Sequence, residues 1–149
     1  MNENTVGLVD LSSLAFPIWH MSQSEPDPNH TSTQIVARVR ALASGMAHVA
    51  LCIDTGKSFR NDVDPTYKAQ RPESDARIHH QIALALDILR ADGFPVWGAK
   101  GFEADDVIAS AAKALAPSAV WIATADKDLA QLVDDRVHLK SLKDGSEID

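Results

Sequence analysis

Short apolar runs alternate with stretches of helical spacing along most of this chain. Val6-Gly7-Leu8-Val9 is an apolar run closed by Asp10 and reads as a first buried strand. Ser22 to Thr33, rich in Ser, Pro, Asn and Asp, reads as a loop. Thr31 or Thr33 then stands where it can cap a helix in which Ile35, Val36, Val39 and Leu42 keep helical spacing, and Gly45 loosens its end. His48 to Ile53 is a second strand, followed at once by Asp54. Ile78, Ile82, Leu84, Leu86, Ile88 and Leu89 predict a long helix ended by Asp92-Gly93, and Phe94 to Trp97 a brief third strand. The helix predicted from Glu103 to Ala116 carries Val107, Ile108, Ala111, Ala112 and Leu115 on one side, and Pro117 stops it. Ala119 to Ala123 is a fourth strand, a short helix runs to Val133, and Arg136 to Leu139 is a fifth strand. Lys143-Asp144-Gly145-Ser146 holds the Asp-Gly signal of a hairpin turn. This alternation predicts an α/β fold: a central, mostly parallel sheet with helices on both faces and a C-terminal hairpin.

Between Thr55 and Ser74 the pattern stops. Pro65 and Pro72 interrupt it, and Lys57, Arg60, Lys68 and Arg71 are interleaved with Phe59 and Tyr67. An irregular stretch of roughly 20 residues is unusual inside a compact domain and tends to be functional. Its cations suit phosphates, and its aromatic rings offer faces on which bases stack. The plainer alternative is a solvated loop with Phe59 tucked into the core.

The acids follow the strands. Asp10 ends the first, Asp54 the second, Glu103, Asp105 and Asp106 follow the third, and Asp126 and Asp128 follow the fourth. In parallel sheets functional groups gather outside the carboxyl ends of the strands, so all of these acids are expected at one edge. Any one of them reads more simply as a helix cap, Asp126 especially. Four successive strands sending acids to one edge is a different matter, because such a cluster repels itself without cations. Within Gly101-Phe102-Glu103-Ala104-Asp105-Asp106-Val107-Ile108 three carboxylates sit beside Phe102, Val107 and Ile108, which raises that cost. No His or Cys accompanies the acids, which favours Mg²⁺ or Mn²⁺ over zinc. Two such ions roughly 4 Å apart are the arrangement used for in-line hydrolysis of phosphodiesters.

At 149 residues the chain is read as one domain. Its net charge of −7 speaks against a nucleic-acid partner until bound cations are counted and the clustering of bases between Lys57 and Arg71 is noticed. The single Cys52, in a strand-like run, excludes a disulfide framework or a thiolate zinc site within one chain and reads as a small buried hydrophobe. No apolar run approaches the roughly 18 residues of a membrane span, and Met1 to Thr5 lacks the pattern of a signal peptide. No membrane association and a cytoplasmic location are expected. Gly56-Lys57-Ser58 is not a phosphate-binding P-loop, because position 51 is Leu51 rather than glycine. His79, His80 and Lys113 read as solvated helix positions, and Trp19, Trp97 and Trp121 as core.

At these residues the chain resembles the 5′→3′ exonuclease and flap endonuclease family, with its PIN-like, resolvase-like nuclease domain. The matching motifs are Val9-Asp10 with Ser12-Ser13-Leu14-Ala15, Ile53-Asp54 with Ser58-Phe59-Arg60, and Tyr67-Lys68-Ala69-Gln70-Arg71. Phe102-Glu103-Ala104-Asp105-Asp106-Val107 and Thr124-Ala125-Asp126-Lys127-Asp128-Leu129 complete the series in order. The resemblance implies that Asp10, Asp54, Glu103, Asp105, Asp126 and Asp128 hold two Mg²⁺ or Mn²⁺ ions directly or through water, with Asp106 also fitting the bacterial pattern. It implies that Lys68 helps position the scissile phosphate, and that Arg60, Tyr67 and Arg71 line the opening for a single-stranded 5′ end. The implied substrate is DNA at 5′ ends, flaps and single-strand–duplex junctions. In the family a helical DNA-binding segment follows and adds two aspartates to the second ion; here the sequence ends at Asp149, so that ion is expected to lack part of its shell. An excised fragment, a segment supplied by a separate polypeptide or a DNA polymerase, and a loss of full activity are the alternatives. A non-catalytic nucleic-acid-binding module and a PIN-type ribonuclease are the rival functions, the latter disfavoured by the insertion from Lys57 to Arg71.

Overall fold

The computed structural model describes residues 5–54 and 76–142, together with the backbone of residues 147–148. Strands β1 (Val6–Asp10), β2 (His48–Cys52), β3 (Val96–Trp97), β4 (Val120–Thr124) and β5 (Val137–Ser141) run parallel. Strand β6 (Glu147–Ile148) pairs antiparallel with β5, as the expected C-terminal hairpin requires, and its turn at residues 143–146 lies outside the described residues. The spatial order is β3-β2-β1-β4-β5-β6. Chain order therefore reverses between β1 and β4, the place where open α/β sheets leave a crevice at their carboxyl edge.

Every residue of β1 is buried, as expected for a central parallel strand covered on both faces. Strand alternation divides the core in two. Val9, Val49, Leu51 and Ala123 face helices α1 (Leu11–Met21), α2 (His30–Ala43) and α3 (Ala76–Ala91). Val6, Leu8, Ala50, Cys52, Val120 and Ile122 face helix α4 (Ala104–Ala114) and the 3₁₀ helix Lys127–Leu132. Gly7 lies so close to Met46 that a Cβ there would collide with the sulfur.

Helix α1 has no counterpart in the periodicity reading, because Pro17 stands inside it. Proline supplies no N–H to the carbonyl four residues earlier and makes an unconvincing helical pattern, yet burial of Leu11, Leu14 and Ala15 holds the helix in place. Helix α2 begins at His30, inside the stretch expected to be loop, so Thr31 and Thr33 are helical rather than caps. Asn29 stands at the cap position, and the Thr33 hydroxyl donates back to its carbonyl at 3.0 Å. In α3 the buried stripe is Ile78, Gln81, Ala85, Leu86 and Leu89, while Ile88 is exposed. Gln81 accepts the Ser32 amide at 3.0 Å and donates to Asn29 Oδ1 at 3.1 Å, which ties α3 to the start of α2. Gly93, at φ 97°, ends α3 in the left-handed conformation that glycine adopts at low cost.

Of the tryptophans only Trp97 packs against a core cluster. Trp121 stacks on His138 across β4 and β5, and the Arg77 guanidinium lies 5.5 Å over the Trp19 ring. His79, His80 and Lys113 are exposed as expected. No helix among the described residues is long and apolar enough to cross a membrane.

The turn into β5 is fastened by Arg136. Its guanidinium donates to the Ala112 carbonyl at 2.8 Å and the Ser118 carbonyl at 2.9 Å, closing the end of α4. Asp134 Oδ1 accepts the Val137 and Arg136 amides at 2.7 and 2.8 Å, and these bonds hold its carboxyl below the usual value. Replacement Arg136→Ala leaves both carbonyls without that charged donor and is expected to lower stability by about 1–3 kcal/mol. Urea unfolding checks this; an unchanged midpoint would show that water serves those carbonyls equally well.

Candidate metal centre

Strand alternation carries the β1 and β4 residues that face α4 to Asp10 and Thr124 at the carboxyl edge. The two meet there: the Thr124 hydroxyl donates to Asp10 Oδ2 at 2.8 Å, and Ser13 Oγ donates to the same oxygen at 2.7 Å. Asp10 is only 7% exposed. Burial raises its carboxyl above the usual value and the Asp54 charge adds to this, against the lowering effect of the Ser13 and Thr124 hydroxyls and the Ser13 amide.

Asp54, two residues beyond β2, is exposed and reaches in the other direction. Its Oδ1 accepts the Ala104 amide at 2.7 Å, at the first residue of α4, and its Oδ2 accepts the Ser12 hydroxyl at 2.7 Å. Asp54 thus acts as a cap on a helix from outside it, and it fastens the end of β2 to the start of α4. Glu103 is the N-cap residue of α4, and Asp105 and Asp106 fill its first turn. Asp106 Oδ2 accepts the Glu103 amide at 3.1 Å, one half of a capping box, and Asp105 Oδ1 accepts the Asp106 amide at 3.1 Å. The positive end of the helix dipole helps to hold these acids together.

Glu103, Asp105 and Asp106 each offer a carboxylate oxygen, and these three oxygens lie within 4.8 Å of one another. An all-carboxylate donor set at that spacing fits a hard divalent cation. Among the described residues no other trio of acids, histidines or cysteines meets at that separation. Asp126 follows β4 as the cap of the 3₁₀ helix, its Oδ1 accepting the Asp128 amide at 2.9 Å, so the simple capping expectation holds for it. Its own amide donates to the Thr124 hydroxyl at 3.0 Å. Asp128 is exposed in the first turn of that helix.

The hydrogen bonds thus run Asp54–Ala104 on one side and Asp10–Thr124–Asp126 on the other, with Ser12 and Ser13 adjacent in sequence between them. The apolar enclosure expected around the acids is only partial. Ile108 is fully buried on the sheet face of α4, whereas Phe102 is 42% exposed. The buried positions Ala104, Ile108 and Ala112 follow the helical period, which turns Asp105 and Asp106 away from the core. Cys52 is buried as expected, and burial pushes its thiol up to about 12, with the Asp10 charge second, so it stays a thiol. Lys57, Phe59, Arg60, Tyr67, Lys68 and Arg71 lie outside the described residues.

Ser12, Ser13 and Thr124 carried no role in the sequence reading. The signal for Thr124 was available in the strand alternation it shares with Val120 and Ile122. For Ser13 it was the spacing of three residues from Asp10.

The family model for the 5′-3′ exonuclease, N-terminal resolvase-like domain, matches residues 5–149. The chain belongs to this family. A 5′-3′ exonuclease of Bacillus subtilis is 37% identical over 157 residues, covering 97% of this chain and 53% of that protein. DNA polymerase I of Treponema pallidum is 34% identical over 151 residues, covering 94% of this chain and 15% of the polymerase. The structure of the T5 D15 protein co-crystallized with metal ions superposes with a TM-score of 0.78 at 25% identity, over 96% of this chain and 57% of that one. This resolvase-like domain therefore spans about half the length of the exonuclease and of the T5 protein, and a small part of the polymerase.

A carboxyl raised in the folded domain above its unfolded value of about 4 favours folding only while it is protonated. That contribution is complete below the unfolded value and is lost as pH rises through the folded one. At neutral pH the charge on Asp10 therefore opposes folding of the metal-free domain. Asp10→Asn is expected to raise the melting temperature in EDTA at pH 7, with the gain shrinking as pH falls through the folded value of Asp10 and gone below about 4. A melting temperature that stays level or drops at pH 7 would show that the hydrogen bonds to Oδ2 outweigh the burial of the charge.

Proposed function

We propose that this chain is the divalent-metal-dependent nuclease domain of a 5′→3′ exonuclease or flap endonuclease. It would hydrolyse phosphodiesters of DNA near 5′ ends, flaps and single-strand–duplex junctions. The observation that carries this reading is the trio Glu103, Asp105 and Asp106, within 4.8 Å of one another at the start of α4, in a chain of this family. Asp54 and Asp10, joined to the same edge through Ala104, Ser12 and Ser13, would complete the first cation's surroundings, and Asp126 and Asp128 would serve a second. Mg²⁺ or Mn²⁺ bound there supplies Lewis acidity and makes water a better nucleophile at neutral pH.

The residues of the chain do the rest. The carboxylates fix where cations sit relative to a phosphate, and the neutral hydroxyls and amides fix the carboxylates. No side-chain nucleophile is required. Lys68 would position the scissile phosphate, with Lys57, Phe59, Arg60, Tyr67 and Arg71 along the path of the strand. The metal ions of the T5 structure and the polymerase context of the Treponema relative support, respectively, the cation and a DNA polymerase as a working partner. A cytoplasmic setting fits a DNA substrate and a single buried thiol.

A second reading, a nucleic-acid-binding module that needs a partner to cut, is favoured by one observation: Asp126 and Asp128 stand outside the trio. Cleavage of a labelled 5′-flap DNA in Mg²⁺ or Mn²⁺ separates the two. The nuclease reading expects cleavage by the wild type and its loss, by a factor of about 100 or more, in Asp105→Asn and Asp126→Asn. Lys68→Ala is expected to slow the single-turnover rate while leaving Mn²⁺ affinity unchanged. No cleavage by the wild type, with Mn²⁺ still bound, would favour the module; full activity in either aspartate variant would remove that residue from the site.

A further inference from the structure

The Thr124 hydroxyl has one proton and two neighbours of opposite kind. The Asp126 amide can only donate, and it does so to Thr124 Oγ1 at 3.0 Å. The Thr124 proton is therefore directed to Asp10 Oδ2, 2.8 Å away. Ser13 Oγ lies 3.3 Å from Thr124 Oγ1 and 2.7 Å from the same Asp10 oxygen. With both hydroxyl protons on Oδ2, neither serves the other hydroxyl. The Ser13 amide also bonds the Asp10 carboxylate, so the donors to Asp10 among the described residues are all neutral and leave its charge in place.

Thr124 is 1% exposed and lies where β4 meets β1, at the reversal of strand order. Its geometry links two acids that are far apart in sequence: the carboxylate of Asp10 and the backbone of Asp126. From this we infer that Thr124, assisted by Ser13, is a positioning residue for metal binding, holding the Asp10 carboxylate in one rotamer and setting Asp126 relative to it. The inference rests on the metal-dependent nuclease reading above. A hydroxyl suits the task because it orients a carboxylate without neutralising it, as outer partners of metal ligands commonly do.

The test is Mn²⁺ binding to the whole chain, followed by calorimetry and by the paramagnetic resonance signal of free Mn²⁺, with circular dichroism on the same samples. Thr124→Val keeps the shape and removes the hydroxyl; it is expected to weaken Mn²⁺ binding about tenfold. Thr124→Ser keeps the hydroxyl and is expected to stay within about threefold of the wild type. With flap DNA, Thr124→Val should raise the Mn²⁺ concentration needed for half-maximal rate while largely keeping the rate at saturating Mn²⁺. A general loss of packing would instead lower the saturating rate and would not be rescued by serine. A folded Thr124→Val that binds Mn²⁺ like the wild type overturns the inference and leaves the metal reading intact. Failure of the wild type to bind Mn²⁺ overturns the metal reading and this inference with it. Should Thr124→Val not fold, Ser13→Ala removes the other proton from Oδ2 and is expected to weaken binding about threefold; unchanged affinity there is the overturning result.

Discussion

Like charges gathered at one edge of a protein oppose its folding unless the fold supplies something in return. Here the edge receives Asp10 from β1, Asp54 after β2, Glu103, Asp105 and Asp106 at the start of α4, and Asp126 and Asp128 after β4. What the fold supplies is a set of donors already positioned by regular structure. The first-turn amides of α4 lack a carbonyl four residues back within the helix, and Asp54 and Asp106 satisfy two groups at that end. The Asp128 amide at the start of the 3₁₀ helix is satisfied by Asp126. The acids are thus part of how the helices begin, and capping and cation binding are two uses of the same carboxylates.

Much of this was legible in the sequence because the periods of strand and helix are strict. Five apolar runs, four of them followed by acids, predicted both the sheet and the edge along which those acids stand, and of these Glu103, Asp105 and Asp106 lie within 4.8 Å of one another. The misses have local causes. Pro17 disguised α1, whose burial of Leu11, Leu14 and Ala15 outweighs one missing hydrogen bond. Ile88 looked like a core residue, but its position on the turn of α3 leaves it exposed, with Gln81 and Ala85 on the buried stripe instead. Phe102 was expected to enclose the acids, and nothing in its one-dimensional neighbourhood told that the chain turns at Gly101, with φ 85°, just before it.

The hydroxyls were harder to see, because Ser and Thr near a turn have many ordinary explanations. Their role depends on register: Val9 pairs with Ala123 across β1 and β4, which sets Asp10 and Thr124 side by side at the next position of each strand. A residue pair separated by more than a hundred positions acquires a 2.8 Å hydrogen bond only through that pairing.

The choice of partner also sorts the acids of this chain into two kinds. Asp92 is paired with the Arg40 guanidinium at 2.8 Å, and that bond holds its carboxyl below the usual value. A carboxylate so paired has its charge answered from within the chain and attracts a cation weakly. Asp10 and Asp54 are held by Ser12, Ser13, Thr124 and the Ala104 amide, all neutral. Neutral donors fix the direction of a carboxylate and leave its charge in place. Burial, with the Asp54 charge beside it, makes a charged Asp10 unfavourable for the protein alone, and a divalent cation would relieve it. Among the described residues, then, the donors that hold Asp10 and Asp54 orient these carboxylates without answering their charge, which is how the ligands of a metal centre are commonly held.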